Sequence, residues 1–260
     1  MIWYNYPRCG YLFITKGCSV TKILIIIPAY NEEYSICGVT KRLKDSEIFS
    51  LHEVDYIIVN DCSTDKTGEI CRDNGYNHIS LPLNLGIGGG VQTGYIYACE
   101  NGYDIAVQMD GDGQHDPMSL SSLIYPIING EADMVVGSRF LDEGGFKSTG
   151  LRRVGISWLS AVIRVCCGKR IKDVTSGYRA TGKELTEYYS KNYARDYPEP
   201  EAIVSAVKNG YRVIEVPVIM HERFGGISSI RSLKSVYYMI KVTLAILLGA
   251  ERRGKRMVLR

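Results

Sequence analysis

The stretch KILIIIPAY, residues 22–30, decides the fold class of this chain. An unbroken apolar run that ends near a proline is typical of a strand buried on both faces of a parallel sheet, because a half-exposed strand would alternate polar and apolar residues. Three later stretches have the same character: DYIIVN (55–60), DIAVQMD (104–110) and ADMVVGS (132–138). The sequence therefore predicts four buried strands.

Helical patterns lie between and after these strands, at residues 32–45, 65–74, 88–100 and 117–129. The last of them is opened by an Asp-Pro pair, which is a typical helix start. Alternating strands and helices with short connections predict right-handed crossovers and a doubly wound, mostly parallel α/β sheet. Ligands of such sheets bind outside the carboxyl ends of the strands.

Composition excludes one class of partner. The chain carries 31 Lys and Arg against 28 Asp and Glu, and this formal charge of +3 is too small for a polyanion binder, so we expect no nucleic-acid partner. Apolar residues make up 45% and charged residues 23%, the mix of a globular protein. Eight cysteines without a C-x-x-C pair or a zinc-type spacing predict free thiols in a reducing cytosol.

The pattern indicates one main domain, residues 23–230, between two terminal segments. Residues 1–22 are predicted to form an N-terminal extension and lack the features of a secretory signal. Residues 231–260 contain an apolar stretch at 236–249 and a basic tail. That stretch is too short to span a membrane, and it predicts either an amphipathic helix on an anionic membrane surface or a core or dimer helix.

The most informative segment is QMDGDGQHD, residues 108–116. Residues two apart in an extended chain point the same way, so Asp110 and Asp112 can share one cation just beyond a buried strand. Hard carboxylate oxygens favour Mg²⁺ or Mn²⁺, and such an ion in turn binds a diphosphate. His115 stands beside a helix cap, where a histidine is more often structural, and we leave it out of the predicted metal site.

Polar and glycine-rich segments follow the other strands. Asp61 is placed to accept a hydrogen bond from a base or ribose, whereas Asp65 is expected to cap the following helix. The stretch NLGIGGG, residues 84–90, resembles a phosphate cradle because glycines expose backbone N–H groups at a helix start. It matches neither the dinucleotide-binding nor the P-loop fingerprint, which argues against a Rossmann dehydrogenase and a P-loop NTPase.

Three arginines lie after strands or beside glycine-rich turns: Arg139, Arg179 and Arg223. Arginine offers a bidentate fork to phosphate, so the set favours an anion-binding site.

The motifs of this chain, taken as a set, resemble those of the family 2 glycosyltransferases: PAYNE, NDCSTD, NLGIGGG, MDGDGQHDP, VVGSRF, DVTSGYRA, and EVPV with a later GGISS. Within that family they look most like the polyprenyl-phosphate sugar transferases related to dolichol-phosphate mannose synthase. The resemblance runs from about Ile23 to Ile230 in the family's order. It implies an A-type glycosyltransferase fold, an inverting mechanism, a nucleotide-diphosphate sugar donor, with UDP favoured over GDP, and a polyprenyl-phosphate acceptor.

The resemblance also implies roles for individual residues. The donor nucleotide and diphosphate would be bound by Pro28, Tyr30, Glu32, Asp61, Gly86, Asp110 and Gln114. The metal ligands would be Asp110 and Asp112, and the catalytic set would be Asp112, Arg139, Arg179 and Arg223.

The implied location is cytoplasmic, peripheral on the inner face of the cell membrane, held there directly or by a membrane partner protein. Many relatives carry two spanning helices at the C-terminus, whereas this chain has only the segment 236–249. A homo-oligomer is a further possible partner arrangement. A saccharide hydroxyl in polysaccharide or cell-wall glycan assembly is the alternative acceptor, and its general base would lie in YPEPE (197–201), where Glu201 opens a predicted helix. A non-catalytic scaffold subunit that binds nucleotide sugars is the non-enzyme alternative. A sugar nucleotidyltransferase is disfavoured because PAYNEE is not a glycine-rich basic loop.

Overall fold

The computed structural model describes residues 3–4, 12–13, 21–141, 150–222, 239 and 241–247. Near the N-terminus, β1 (Trp3–Tyr4) and β2 (Leu12–Phe13) form a two-stranded antiparallel sheet of their own. The second sheet has seven strands: β3 (Lys22–Ala29), β4 (Glu53–Asn60), β5 (His78–Ser80), β6 (Ile105–Gln108), β7 (Met134–Ser138), β8 (Arg179–Gly182) and β9 (Val213–Pro217).

The helices lie between these strands, as the alternation predicts. They are α1 (Ile36–Lys44), α2 (Ile48–Leu51), α3 (Thr67–Asp73), α4 (Gly86–Glu100), α5 (Leu120–Ile128), α6 (Gly150–Cys167), α7 (Lys183–Lys191) and α8 (Pro198–Lys208), with a 3₁₀ turn at Pro117–Ser119 before α5.

The strand order is β5-β4-β3-β6-β8-β7-β9. Every neighbouring pair is parallel except those made by β8, which runs antiparallel to both β6 and β7. The predicted doubly wound, mostly parallel α/β sheet is therefore confirmed. The reversed strand was not foreseen, because its four residues are too few to show a periodic pattern.

The apolar run in β3 fills both faces of the sheet. Ile23, Ile25 and Ile27 belong to the core cluster that also contains residues of α1 and α5. Leu24 and Ile26 point the other way, into the cluster shared with α4, α6, α7 and α8. Successive side chains of a strand alternate between faces, so burial on both sides requires an unbroken apolar run.

Part of the predicted C-terminal helix lies among the described residues. Residues 241–247 are helical, with Val242 and Ile246 buried in the core and Leu244 and Leu247 exposed. The remainder of the stretch 236–249 and the boundary at 230 lie outside the described residues. No helix in the described part of the chain is long and apolar enough to cross a membrane. Each of the six described cysteines is a free thiol.

Candidate active site

Two loops interlock at the carboxyl edge of the sheet, after β3 and β4. The backbone N–H of Asn31 donates to Ser63 Oγ at 3.0 Å, and the N–H of Thr64 donates to Asn31 Oδ1 at 2.8 Å. Asn31 has a φ of 56°, a left-handed conformation that asparagine tolerates better than most residues. Asp65 accepts from the N–H of Glu33 at 3.1 Å and from that of Thr67, the first residue of α3, at 2.9 Å, although the N-cap of this helix is Lys66. These bonds join residues 31–33 and 63–67 into one surface at the ends of two neighbouring strands, which we call the rim.

The three residues predicted to contact the nucleotide after β3 differ in how far their side chains are exposed to solvent. Pro28 is buried and its carbonyl accepts from the N–H of Gly111 at 3.2 Å. Tyr30 is 48% exposed, so its ring is open to a ligand. Glu32 is partly buried and accepts from Ser35 Oγ at 2.7 Å. Among these three, Tyr30 offers the accessible surface, while Pro28 ties the loop to the acidic segment.

Asp61 joins the end of β4 to the start of α4. It is 4% exposed, and its Oδ1 accepts from the N–H of Leu85 at 2.7 Å. Its carbonyl accepts from Asn84 Nδ2 at 3.1 Å. Gly86 follows with a φ of 75°, which favours glycine, and opens the helix. Asp61 and Gly86 thus lie together, as a shared nucleotide contact would require.

The remaining glycines of NLGIGGG lie within α4 rather than in a loop. Gly88, Gly89 and Gly90 are buried inside α4, which begins two residues earlier than predicted. A Cβ at Gly88 would overlap the carbonyl oxygen of Ala194. Gly88 therefore allows close helix packing. The phosphate cradle stays a prediction, now for the backbone N–H groups of the first turn of α4, which begins at Gly86.

The acidic segment begins at the end of β6. Asp110 is 32% exposed at its side chain, and its Oδ1 accepts from Gln108 Nε2 at 3.0 Å. Gln108 is 1% exposed, and its Oε1 is buried without a hydrogen-bond partner among the described residues. A buried acceptor normally has a partner, so this orphaned oxygen beside the Asp110 carboxylate marks a polar position that the described residues leave unsatisfied.

Three hydrogen bonds fix the turn that carries the second aspartate. Asp112 is 6% exposed and its Oδ1 accepts from the N–H of Gln114 at 3.0 Å. Arg42, on α1, donates to the carbonyl of Gly113 at 2.7 Å. The N–H of His221 donates to the carbonyl of Gln114 at 2.8 Å. The turn is thus held from both sides of the site.

His115 holds the backbone of the acidic segment through a hydrogen bond. Its Nδ1 accepts from the backbone N–H of Asp110 at 2.9 Å, and its ring stacks on Tyr178 with centroids 4.5 Å apart. Because Nδ1 is an acceptor, the proton of the neutral ring lies on Nε2, 3.8 Å from Asp110 Oδ2. The ring is 5% exposed, which fits the structural role expected for it.

No group of three or more His, Cys, Asp or Glu side chains gathers as a metal centre in the described part of the chain. Two carboxylates suit an ion such as Mg²⁺, which proteins commonly hold through one or two carboxylates together with substrate phosphates and water. The residues present therefore fit a metal that binds with its diphosphate ligand.

Arg139 makes a buried ion pair beside this segment. Its Nε and Nη2 donate to the two oxygens of Asp173, each at 2.7 Å, and the two side chains are 8% and 0% exposed. Burial alone would lower the pKa of Arg139, but its hydrogen bonds to Asp173, the charge of Asp173 and a smaller contribution from Asp110 raise it. The guanidinium therefore stays charged close to Asp110.

Arg179 occupies a different position from the one predicted. It is fully buried, and its guanidinium donates to the carbonyls of Ser176, Val174 and Glu199 at 2.6, 3.4 and 2.7 Å. A side chain without exposed surface cannot bind a phosphate in solution, so we correct its assigned role to that of a residue that joins β8 to the start of α8. Arg223 lies outside the described residues.

Glu199 is a functional candidate within YPEPE (197–201), the segment in which the sequence analysis singled out Glu201 instead. It lies in the first turn of α8, where burial raises the pKa of its carboxyl, the charge of Arg179 lowers it and that of Asp110 raises it. Glu201 also has a raised pKa, from burial and from the charge of Asp196. Only Glu199 interacts electrostatically with the acidic segment, and the segment YPEPE offered no pattern that ranks it above Glu201.

The family model described as glycosyl transferase family 2 matches residues 24–189, more than half of the chain. The chain belongs to glycosyl transferase family 2. The match spans β3 to α7 and includes both aspartates of the acidic segment, Asp61 and Arg139.

Several curated relatives of this glycosyltransferase have names that specify a polyprenyl-phosphate acceptor or product. It is 36% identical over 216 residues to a UDP-N-acetylglucosamine–dolichyl-phosphate N-acetylglucosaminyltransferase from Methanococcus voltae, covering 75% of this chain and 84% of the relative. It is 31% identical over 214 residues to an undecaprenyl-phosphate mannosyltransferase from Micrococcus luteus, covering 78% and 84%. It is 30% identical to a polyprenol monophosphomannose synthase from Mycolicibacterium smegmatis, covering 85% of each. The chain is thus related to polyprenyl-phosphate sugar transferases.

Solved structures confirm the A-type fold. Glucosyl-3-phosphoglycerate synthase from Mycobacterium tuberculosis, in complex with Mn²⁺, UDP and glucosyl-3-phosphoglycerate, superposes with a TM-score of 0.66 at 21% identity, covering 92% of this chain and 86% of that one. At this identity the likeness concerns the fold.

Proposed function

We propose that this family 2 glycosyltransferase moves a sugar from a nucleotide-diphosphate donor to a polyprenyl phosphate, in a reaction that depends on Mg²⁺ or Mn²⁺. The observation that carries the proposal is the pair Asp110 and Asp112 after a buried strand, with the unpartnered Oε1 of Gln108 beside it. The names of the relatives support the acceptor. A relative named for a UDP-sugar donor favours UDP over GDP. The fold neighbour was solved with Mn²⁺ and UDP, which is in line with a divalent metal.

Asp110 and Asp112 are the residues that would hold the metal. When bound, the ion neutralises negative charge that develops on the leaving nucleoside diphosphate. Gln108 and His115 keep Asp110 in place through the hydrogen bonds described above, and the N–H of Gln114 keeps Asp112 in place. Ligands locked by such secondary contacts need no reorganisation during the reaction.

The donor nucleotide is assigned to the rim formed by the interlocked loops. Tyr30 presents an exposed ring on which a base can stack, and Asp61 and Gly86 lie together at the start of α4. We assign Pro28 and Glu32 to shaping this rim, and Gln114 to the diphosphate side. Aromatic stacking and carboxylate acceptors are the contacts that nucleotides use.

The acceptor phosphate is already anionic, so it attacks the anomeric carbon without a general base. Its oxygen forms the new bond on the face opposite the leaving diphosphate, which inverts the configuration. Among the described residues, we assign Arg139 to hold the acceptor phosphate. Its Nε and Nη2 bind Asp173, and its Nη1 donates to none of the described residues. Arg223 is retained in the proposal from the sequence pattern, while Arg179 is not. We place the reaction on the cytoplasmic face of the membrane, where the protein would be peripheral.

A saccharide hydroxyl is the second candidate acceptor, and Glu199 is the observation that favours it. A hydroxyl must lose a proton as it attacks, and a carboxyl with a raised pKa near the acidic segment is suited to accept one.

The proposal is tested by screening UDP- and GDP-sugars with a short-chain polyprenyl phosphate in the presence of Mn²⁺ or Mg²⁺. Mass spectrometry should identify a polyprenyl-phosphate sugar, and NMR should show an inverted anomeric centre. Transfer to saccharides but to no polyprenyl phosphate would support the second candidate instead.

A further inference from the structure

The segment from α6 to the loop that follows it concentrates positive charge. Residues 150–172 contain six Lys or Arg residues and no Asp or Glu, in a chain whose formal charge is only +3. Arg153, Arg164, Arg170 and Lys172 are all exposed. A patch of one sign this dense costs self-repulsion in the free protein, and an anionic partner relieves that repulsion.

Large apolar side chains stand among these cations. Val154, Trp158 and Val165 are 69%, 57% and 86% exposed, and they are spaced by one and two helical turns. They therefore share one side of α6, opposite the buried Leu159 and Ile163. We call the exposed residues of α6 and of 168–172 the α6 face.

An open cavity of about 710 Å³ lies in the α6 face. Its lining includes the cations Arg153, Arg164, Arg170 and Lys172 together with Phe140. Phe140 is the chain neighbour of Arg139, whose guanidinium lies 5.6 Å from the Phe140 ring centre. Phe140 therefore lines the cavity and also contacts the guanidinium of Arg139, so the α6 face lies next to the cationic side of the active site.

The apolar surface continues onto the C-terminal helical residues. Trp158 Nε1 donates to Thr243 Oγ1 at 3.1 Å, and a Cβ at Gly155 would lie 3.1 Å from Met239 Sδ. Leu244 and Leu247, on this second helical segment, are 51% and 47% exposed. Two helical segments in contact thus each present apolar side chains to solvent.

We propose that the α6 face is the surface by which this protein docks on a lipid bilayer with anionic headgroups. The cations meet lipid phosphates, while Trp158 and the valines enter the boundary between headgroups and acyl chains. The inference rests on the proposed function in one respect: the bilayer that holds the acceptor then lies beside Arg139. A second copy of the chain fits the face poorly, because each exposed cation of one face would then meet a face of the same charge.

Vesicle flotation of the full chain tests the docking surface. We expect binding to phosphatidylcholine vesicles that contain phosphatidylglycerol, weaker binding without that anionic lipid, and loss of binding at high salt. Replacing Arg164 and Arg170 by Gln should lower the partition coefficient by about 30-fold, the effect of two charges near an anionic surface. A second variant, Trp158→Ser with Val165→Ser, should also lower it.

Matched controls lie on other elements. Lys183→Gln with Lys191→Gln removes two exposed charges from α7, and Ile96→Ser removes an apolar side chain that is 40% exposed on α4. Both should bind vesicles as the wild type does. Equal losses in the α6-face and control variants would overturn the proposal, as would a wild-type chain that does not float with anionic vesicles.

A soluble assay separates docking from the proposed function. With a short-chain polyprenyl phosphate in vesicle-free buffer, the α6-face variants should retain wild-type transfer. Loss of this transfer would assign the residues to the reaction and overturn their docking role. A wild type that binds vesicles but transfers no sugar to polyprenyl phosphate would contradict the proposed function alone. A change in oligomeric mass with unchanged flotation would identify the α6 face as a self-association surface and overturn the docking role.

Discussion

Gly177 lies so close to Asp110 that a Cβ in its place would fall 2.7 Å from the Oδ2 atom of the carboxylate. The same Cβ would lie 3.0 Å from Gln108 Nε2, the donor that holds the other carboxylate oxygen. Only a residue without a side chain lets the loop before β8 rest on the acidic segment in this way. The loop before the reversed strand thus packs directly against the predicted metal ligand.

Gly177→Ala should therefore displace Asp110 and weaken metal-dependent donor binding. Changes to residues that orient metal ligands typically cost about 10- to 100-fold in metal affinity or activity. Calorimetric titration of UDP in the presence of Mn²⁺ measures the effect. Gly90→Ala is the control, because its Cβ would meet nothing closer than Pro28 Cβ at 3.8 Å. Unchanged Mn²⁺-dependent affinity in Gly177→Ala would show that the close contact does not position Asp110.

Asp173→Asn should destabilise the whole domain. The buried guanidinium of Arg139 would lose its counter-charge, and breaking a buried ion pair from one side typically costs about 3–5 kcal/mol. Urea unfolding measures the change in the free energy of unfolding. Lys191→Ala, which breaks the exposed pair with Glu187, should have little effect. Similar losses in the two variants would mean that the buried pair contributes no more than a surface one.

The nature of the acceptor is tested by Glu199→Gln. A phosphate acceptor needs no base, so we expect this variant to keep substantial transfer to polyprenyl phosphate, as Glu201→Gln should. A general base contributes about 10²- to 10⁴-fold, so a loss of that size with normal donor binding would favour a hydroxyl acceptor. Single-turnover assays with saturating donor separate binding from transfer.

The same variant should change how stability depends on pH. Burial and the charge of Asp110 raise the pKa of Glu199, so its folded form keeps a proton to higher pH than its unfolded form does. The contribution of this carboxyl to the free energy of unfolding is therefore largest below its pKa in the unfolded chain. It is lost as the pH rises through its pKa in the folded protein. Glu199→Gln stays neutral and should gain stability relative to the wild type as the pH rises above the usual carboxyl range. A constant difference across the pH series would contradict the raised pKa.

The sequence predicts the buried strands and the acidic segment well because each depends on local pattern. β3 is recognisable from its apolar run, and Asp110 and Asp112 from their position after β6. Composition cannot show which way a short strand such as β8 runs. That direction follows from how the chain returns through α6 to the gap between β6 and β7.

The missed features depend on tertiary contacts. Arg179 looks like a surface arginine beside a glycine-rich turn, yet β8 inserts it between two core strands, where three carbonyls bind it. Glycines 88–90 look like a ligand-binding loop, yet Gly88 packs against the backbone of Ala194. Glu199 and Glu201 look equivalent in sequence, and only the fold brings Glu199 near Asp110.

The central claim is that Asp110 and Asp112 support metal-dependent transfer from a nucleotide sugar. The most direct measurement is the rate of sugar transfer by Asp112→Asn across a Mn²⁺ titration, beside Asp104→Asn, an aspartate that precedes the same strand at the opposite edge of the sheet. We predict that Asp112→Asn loses transfer and metal-dependent donor binding, while Asp104→Asn keeps both. Wild-type turnover of Asp112→Asn with unchanged metal dependence would contradict the account.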